Sequence, residues 1–370
     1  MKTILLLIGT RPEAIKLAPV IKVLKERDKE FNCLVCSTGQ HHEMLTQALS
    51  DFSIKPDYNL ELMQKGQTLA SLSSKLFDSV DSLINKTKPD WVLVQGDTTT
   101  AMVGSLCAFY REIKVGHVEA GLRSFDISKP FPEEANRRVI SVVANKHFVP
   151  TKKSYDNLIR EHVNPHDIII SGNTVIDALL WMINILKKSP PNLPNKVEDI
   201  INKKQLIVLI TGHRRESFGD GFLNICNAIK ELAINYKDCQ FIYPVHLNPN
   251  VQKPVNEILE GTKNVTLLPP LDYKSFVWLM DKSDLILSDS GGIQEEAPSL
   301  GKMVLVMRDN TERPEGVEAG VSLLIGTEKE NIINHVSNQI ELLQSQKNTN
   351  IKTNPYGDGD AAEIIVDNLN

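Results

Sequence analysis

No apolar run in this sequence approaches the roughly 20 residues that a membrane-spanning helix needs. The short run Ile4–Ile8 behind Met1-Lys2-Thr3 is too brief for a secretory leader and has no small-residue cleavage site after it, so a cytoplasmic chain is expected. Long blocks of like charge are missing. The 41 basic and 46 acidic residues leave a net charge of −5, which speaks against a basic surface for nucleic acid. Cysteine is scarce, and the five present are an odd number spread over both halves, which excludes a disulfide framework. Cys33 and Cys36 form a C-x-x-C pair, but a strand turns residues three apart to opposite faces, and no second pair exists to complete a zinc site. The familiar nucleotide fingerprints are absent too. Gly301-Lys302 is followed by Met303 and has no upstream glycine, so it is not a Walker A loop. Gly357–Ala362 spells G-x-G-x-x-A without a preceding strand and reads as a turn before the last helix, so NAD is not inferred. No metal and no cofactor are expected.

What is present is an ordinary globular composition, 41% hydrophobic and 24% charged over 370 residues, enough for a large core without metal or disulfides. At roughly 100–200 residues per domain, two domains are expected. Strand-like and helix-like segments alternate. Strands are predicted at 4–8, 31–37, 91–94, 114–118, 147–149 and 168–170, with helices from Pro12, about His41, about Thr98 and Pro132. The rhythm breaks at Ser189–Lys204, where Pro190, Pro191 and Pro194 read as a surface connection, and resumes with strands at 206–210, 240–243, 265–267, 285–287 and 304–306. This is the βαβ pattern of parallel sheets covered on both faces. Two such units create a cleft between them, and in open α/β sheets ligands sit beyond the carboxyl ends of the strands.

The unusual residues fall in those loops. Gly9-Thr10-Arg11-Pro12-Glu13 joins the first strand to the first helix, with Lys16 one turn further on. A glycine turn at a helix N-terminus suits an anion, although the same residues would serve as a plain strand–helix turn. Asp289-Ser290-Gly291-Gly292 repeats the pattern in the second half, and Glu295 and Glu296 are expected in the first helical turn, where they either complement the helix dipole or accept ribose hydroxyls. Asp97, Glu119 and His213 each follow a strand, and Asp97 alone would pass for a helix cap. Spacings of four and three place Glu133 and Glu134 beside Arg137, as a structural ion pair would require. His246 is a weaker candidate, because Pro244 nearby makes a simple turn equally reasonable. Taken singly each of these is an ordinary structural residue; three carboxylates, an arginine and a histidine at the expected cleft form a candidate catalytic set.

Gly9-Thr10-Arg11-Pro12-Glu13-Ala14-Ile15-Lys16, Gly96-Asp97-Thr98-Thr99, His117–Arg123, Pro132–Arg137, Thr211–Glu216, Asp289–Gly301 and Asn354–Gly359 together resemble the non-hydrolysing UDP-N-acetylglucosamine 2-epimerases, in order and over essentially the whole chain. The resemblance implies a GT-B-like α/β fold of two doubly wound Rossmann-like domains facing a central cleft. The first would cover 1–172, joined by a returning C-terminal helix at 356–370, and the second, at 173–355, would bind UDP. It further implies Phe276 and Arg11 flanking the uracil, Leu271 touching the base through its backbone, and Glu296 on the ribose. Ser290, Gly291 and Gly292 would hold phosphate, with His213 and Arg313 nearby and Lys16 also in the substrate site. Asp97, Glu119, Glu133, Arg137 and His213 match the family's catalytic set, and Gln40, His41, Gln67 and Glu133 a regulatory site for a second UDP-sugar. A cytoplasmic homodimer supplying surface-polysaccharide synthesis is the implied setting, with no membrane and no nucleic acid as partners. The chain departs from the family at Lys129-Pro130-Phe131, where many members carry Ser-Pro-Trp beside the sugar.

The implied reaction is reversible inversion at C2 of a UDP-sugar. C2 bears an acetamido group and no neighbouring carbonyl, so its proton is not acidic enough for simple exchange. Loss of that proton together with departure of UDP from C1 gives a 2-acetamidoglucal, to which UDP adds back. That route needs carboxylates near C2 and cations and amides on the diphosphate. Competing readings are a hydrolysing epimerase that releases free N-acetylmannosamine, a 2-epimerase for a related UDP-2-acetamido sugar, a GT-B glycosyltransferase, whose acceptor space the carboxylate cluster would crowd, and a UDP-sugar sensor.

Overall fold

The computed structural model describes residues 1–39, 42–62, 66–345 and 353–370, with the side chains at 42 and 43 left aside. The chain divides into two units, Met1–Trp181 with Tyr356–Asn370, and Met182–Pro355; the division falls inside the helix Thr174–Lys188.

In the first unit, β1 (Lys2–Ile8), β2 (Phe31–Ser37), β3 (Tyr58–Asn59), β4 (Trp91–Gln95), β5 (Lys114–Val118), β6 (Lys146–Val149) and β7 (Ile168–Ile170) form one sheet in the order β3-β2-β1-β4-β5-β6-β7. All pairings are parallel. The unbroken apolar run Ile4–Ile8 is fully buried, as a central strand of a parallel sheet requires. The chain builds the sheet outward from β1 in one direction and then from β4 in the other. The loops that follow these two neighbours therefore diverge and leave a crevice at their carboxyl ends. The last helix, Ala361–Asp367, packs on the helix Arg11–Glu26, burying Ile365, Val366 and Leu369, with Arg27 bonded to both Glu363 and Asp367.

The second unit repeats the plan with β8 (Leu206–Thr211), β9 (Cys239–Pro244), β10 (Val265–Leu268), β11 (Leu285–Ser288), β12 (Met303–Val306) and β13 (Ser322–Leu324), all parallel, in the order β10-β9-β8-β11-β12-β13. Its switch point lies between β8 and β11. One face of the sheet packs Phe241 and Tyr243 against Phe222, Ile225, Ile229 and Leu232 of the helix Asp220–Asn235 and Val336 and Ile340 of the helix Lys329–Gln344.

The sheets match the strands read from the sequence, and the five cysteines are unpaired thiols on or beside buried elements. Four details differ. The proline-rich break contains a helix, Asn195–Asn202, whose Val197 and Ile200 bury one turn apart, with Pro194 capping its start. β3 and β13, at two and three residues, are too short to leave a periodic signal. The helix Leu69–Thr87 buries Leu72, Leu76, Val80 and Leu83, a stripe that the sequence carries plainly. Glu295 and Glu296 do not open their helix, which begins at Gly291 and ends at Glu296.

Candidate active site

In the first unit, the loop after β1 is fixed by Glu13. Its carboxylate accepts Gly9 N–H (3.0 Å), the Thr10 hydroxyl (2.8 Å) and, across the switch point, the Thr98 hydroxyl (2.7 Å). Burial pushes this carboxyl up to about 7 against the pull of those donors. Gly9 is required: a Cβ there would stand 2.4 Å from Thr100 Oγ1. Arg11 opens the following helix, partly exposed, and Pro12 fits its first turn.

The loop after β4 carries Asp97. Thr98, not Asp97, caps the next helix, accepting Ala101 N–H at 3.0 Å. Asp97 instead accepts a bond from Arg137 Nε at 2.8 Å, with Nη2 2.7 Å from the same oxygen as an ion pair, and its backbone carbonyl accepts Asn136 Nδ2 at 2.8 Å. Gly96 ahead of it has φ +70 and presents its carbonyl to His117 Nε2 at 2.7 Å. Since a carbonyl only accepts, Nε2 carries the proton, and burial drives this imidazole down to about 3, so it is neutral.

Arg137 also bonds Glu134 at 2.9 Å. Glu134 is fully buried and further held by Ser124 N–H and Arg138. Burial acts to raise its carboxyl, and these donors outweigh it and hold the group below its ordinary value. The expected pairing of both glutamates with Arg137 is thus corrected: among the described residues Glu134 at i,i+3 pairs with it, while Glu133 keeps a buried oxygen, Oε2, that accepts no hydrogen bond. Glu119, at the end of β5, is bonded by Lys16 from the first helix and by Gln95 from the end of β4, and Asn173 reaches it at 3.1 Å.

In the second unit, Asp289 organises the loop after β8. One oxygen accepts the backbone N–H groups of His213 (2.7 Å) and Arg214 (2.8 Å), and the other lies 3.2 Å from His213 Nδ1. Asp289 is completely buried, and burial works to raise its carboxyl, but the His213 contact and these amides hold it below its ordinary value. The His213 ring stacks on His246, with centroids 5.5 Å apart. His213, Arg214, Arg215, Glu216, His246 and Asn248 line a cavity of about 440 Å³.

After β11, Ser290 and Gly291 begin the short helix, and Arg313 lies over them: a Cβ on Gly291 would stand 3.1 Å from its Cζ. Arg313 donates to Glu295 at 2.8 Å. Arg308 ties its loop to that of His213 by bonding both Glu216 and Glu312, which holds the Glu312 carboxyl down at about 2. Glu296 lies beside Gly292, with its Oε1 3.5 Å from where a Cβ would be. Leu271 and Phe276 are partly exposed around the start of the helix Tyr273–Lys282, which Asp272 caps.

Of the candidate residues, Asp97 and Arg137 touch, Lys16 and Glu119 touch, and Ser290, Gly291 and Arg313 gather at the second switch point. Of the four regulatory candidates, Gln40 and His41 lie outside the described residues. Gln67 precedes the helix Leu69–Thr87, and Glu133 starts its own helix. Gln95, Asn136, Asn173 and Arg308 were not singled out from the sequence; a polar residue at or beyond a strand end was the available signal for Gln95, Asn173 and Arg308, while Asn136 lies within the helix Glu133–Val143. Among the described residues, no group of three or more histidine, cysteine and acidic side chains is placed to hold a metal ion, and no helix is long and apolar enough to cross a membrane.

Two parallel α/β sheets, each gathering charged loops at its switch point, place the chain in the GT-B-like fold, which its structural neighbours share. The family model for UDP-N-acetylglucosamine 2-epimerase matches residues 24–370. A UDP-N-acetylglucosamine 2-epimerase from Campylobacter jejuni is 51% identical over 374 residues, covering 100% of this chain and 97% of the relative. The crystal structure of the Neisseria meningitidis UDP-GlcNAc 2-epimerase bound to UDP-GlcNAc is 47% identical, with a TM-score of 0.87 and 99% of each chain covered. S. aureus MnaA bound to UDP is 43% identical, with a TM-score of 0.85, covering 100% of this chain and 96% of that one. The chain belongs to the UDP-N-acetylglucosamine 2-epimerase family.

Proposed function

We propose that this enzyme reversibly converts UDP-N-acetylglucosamine to UDP-N-acetylmannosamine without hydrolysis, by eliminating and re-adding UDP. The observation that carries the reading is the pair Asp97 and Glu119, carboxylates at the ends of the adjacent strands β4 and β5, each bonded to a cation, Arg137 and Lys16. In the forward direction a carboxylate takes the C2 proton. The C2–H electron pair becomes the C1–C2 double bond, and the C1–O pair leaves with the β-phosphate of UDP. Return of UDP to C1 and of a proton to the opposite face of C2 completes the inversion. Asp97, Glu119 and Glu133 are the candidates for base and acid. Arg137 steadies Asp97.

His213, oriented by Asp289, and Arg313 stabilise the departing diphosphate, with Ser290, Gly291 and Gly292 supplying backbone contacts. Glu296 holds the ribose, Phe276 and Arg11 flank the uracil, and Leu271 meets the base. Support comes from the ligands named for the relatives, UDP-GlcNAc and UDP, and from the placement of His213 after β8 and of Ser290 and Gly291, with Arg313 against them, after β11 at the second unit's switch point. The test is proton NMR of the reaction in heavy water: deuterium at C2 of the UDP-sugar product, with no free N-acetylmannosamine, is expected. Stoichiometric release of the free sugar would replace this reading with a hydrolysing reaction.

A further inference from the structure

We infer that Asn173 and Gln95 are positioning residues that lock the Glu119 carboxylate, and that the returning C-terminal segment is part of the lock. The inference rests on Glu119 acting on substrate, as proposed above. Glu119 sits at φ +61, the left-handed region that a β-carbon disfavours, directly after β5. A backbone held there aims the side chain away from the course of the strand, and the carboxylate is then pinned at both oxygens. Gln95 Nε2 bonds Oε2; Asn173 Nδ2 reaches Oε1 at 3.1 Å, the oxygen that Lys16 also bonds. Because a carboxylate only accepts, each amide must turn its nitrogen toward it. Both amides are buried, Gln95 at 3% and Asn173 at 2% exposure, and neither carries a titratable group.

Asn173 is itself held by two further bonds. Its Oδ1 accepts Val175 N–H at 3.1 Å, and its own N–H donates to the carbonyl of Tyr356 at 2.7 Å. Gly172, at φ +82, lets the C-terminal strand of chain come this close: a Cβ there would stand 3.3 Å from Tyr356 O and 3.4 Å from Gly357 Cα. Tyr356, 183 positions after Asn173 by residue number, thereby sets the amide that sets Glu119.

Steady-state kinetics on the full-length enzyme test this. Asn173→Ala and Gln95→Met are each expected to lower kcat about 10- to 100-fold, the effect of losing one hydrogen bond to a charged group, with KM within about threefold. In a Glu119→Gln background, with the residual rate read by deuterium entry at C2, the same substitutions should cost less than about twofold, because they act through the carboxylate that is gone. Equal losses in both backgrounds would mean a merely structural contribution and overturn the inference. So would wild-type kcat in both variants while Glu119→Gln is inactive. Wild-type turnover by Glu119→Gln would instead remove the role of Glu119 itself. Gln95→Met leaves every contact of the C-terminal segment in place, so it decides the matter if Asn173→Ala does not fold.

Discussion

His213 is held by Asp289 through both backbone and ring: one carboxylate oxygen accepts the His213 N–H at 2.7 Å, and the other stands 3.2 Å from Nδ1. The contact engages Nδ1 and not the other ring nitrogen, which in the proposed reaction is the one that meets the departing phosphate. Asp289→Asn keeps the shape and loses the charge. It is expected to lower kcat about 10- to 100-fold, as for one hydrogen bond to a charged group. UDP affinity measured by calorimetry should change far less than turnover. Equal activity of Asp289→Asn and wild type would show that His213 needs no orientation.

Arg137 joins Asp97 to the buried Glu134. Removing it leaves Glu134 with Arg138 and Ser124 N–H and leaves Asp97 without its cation. Arg137→Ala should lose turnover and also destabilise the protein, on the order of 3 kcal/mol for a broken buried pair. Chemical denaturation checks the second part; an unshifted unfolding midpoint would show that Glu134 is satisfied without Arg137.

Glu13 gives a pH signature. Its folded carboxyl titrates at about 7 against an ordinary 4.5, so the folded state holds a proton there that the unfolded chain has lost. The contribution of this one group to stability is fully present below about 4.5 and is lost as pH rises through about 7, on the order of 3 kcal/mol in all. Glu13→Gln should flatten that part of the stability profile between pH 5 and 7, read by thermal unfolding across buffers. A variant profile parallel to wild type would contradict it.

Much of this was legible in the sequence, and the limits are physical. The run Ile4–Ile8 and the segment Phe31–Ser37 announced buried parallel strands, and the glycine-bearing turns after β1 and β11 announced where charge would gather. Spacing alone could not choose between Glu133 and Glu134 as the partner of Arg137, because i,i+3 and i,i+4 both face it. It gave no hint that Asp289 would serve His213, 76 positions away, or that Asn173 would reach Glu119 across 54. Those contacts follow from which strands become neighbours, and strand order is a property of the folded sheet.

Arg11→Ala and Phe276→Ala are expected to weaken UDP binding by about 1–3 kcal/mol each, the worth of one stacking partner on a base. Calorimetry with UDP reads this directly, and kcat at saturating substrate should stay close to wild type. Unchanged affinity in both variants would dispose of their assignment to the uracil.

The central claim is that the C1–O bond breaks and re-forms. Substrate labelled with heavy oxygen in the bridge between C1 and the β-phosphate can be incubated with enzyme and followed by phosphorus NMR. Elimination predicts that the label moves into the non-bridging β-phosphate oxygens as epimerisation proceeds, because the freed phosphate end of UDP can rotate before it adds back, and that His213→Ala slows scrambling together with turnover. Complete epimerisation with the bridging label fully retained would contradict the elimination mechanism.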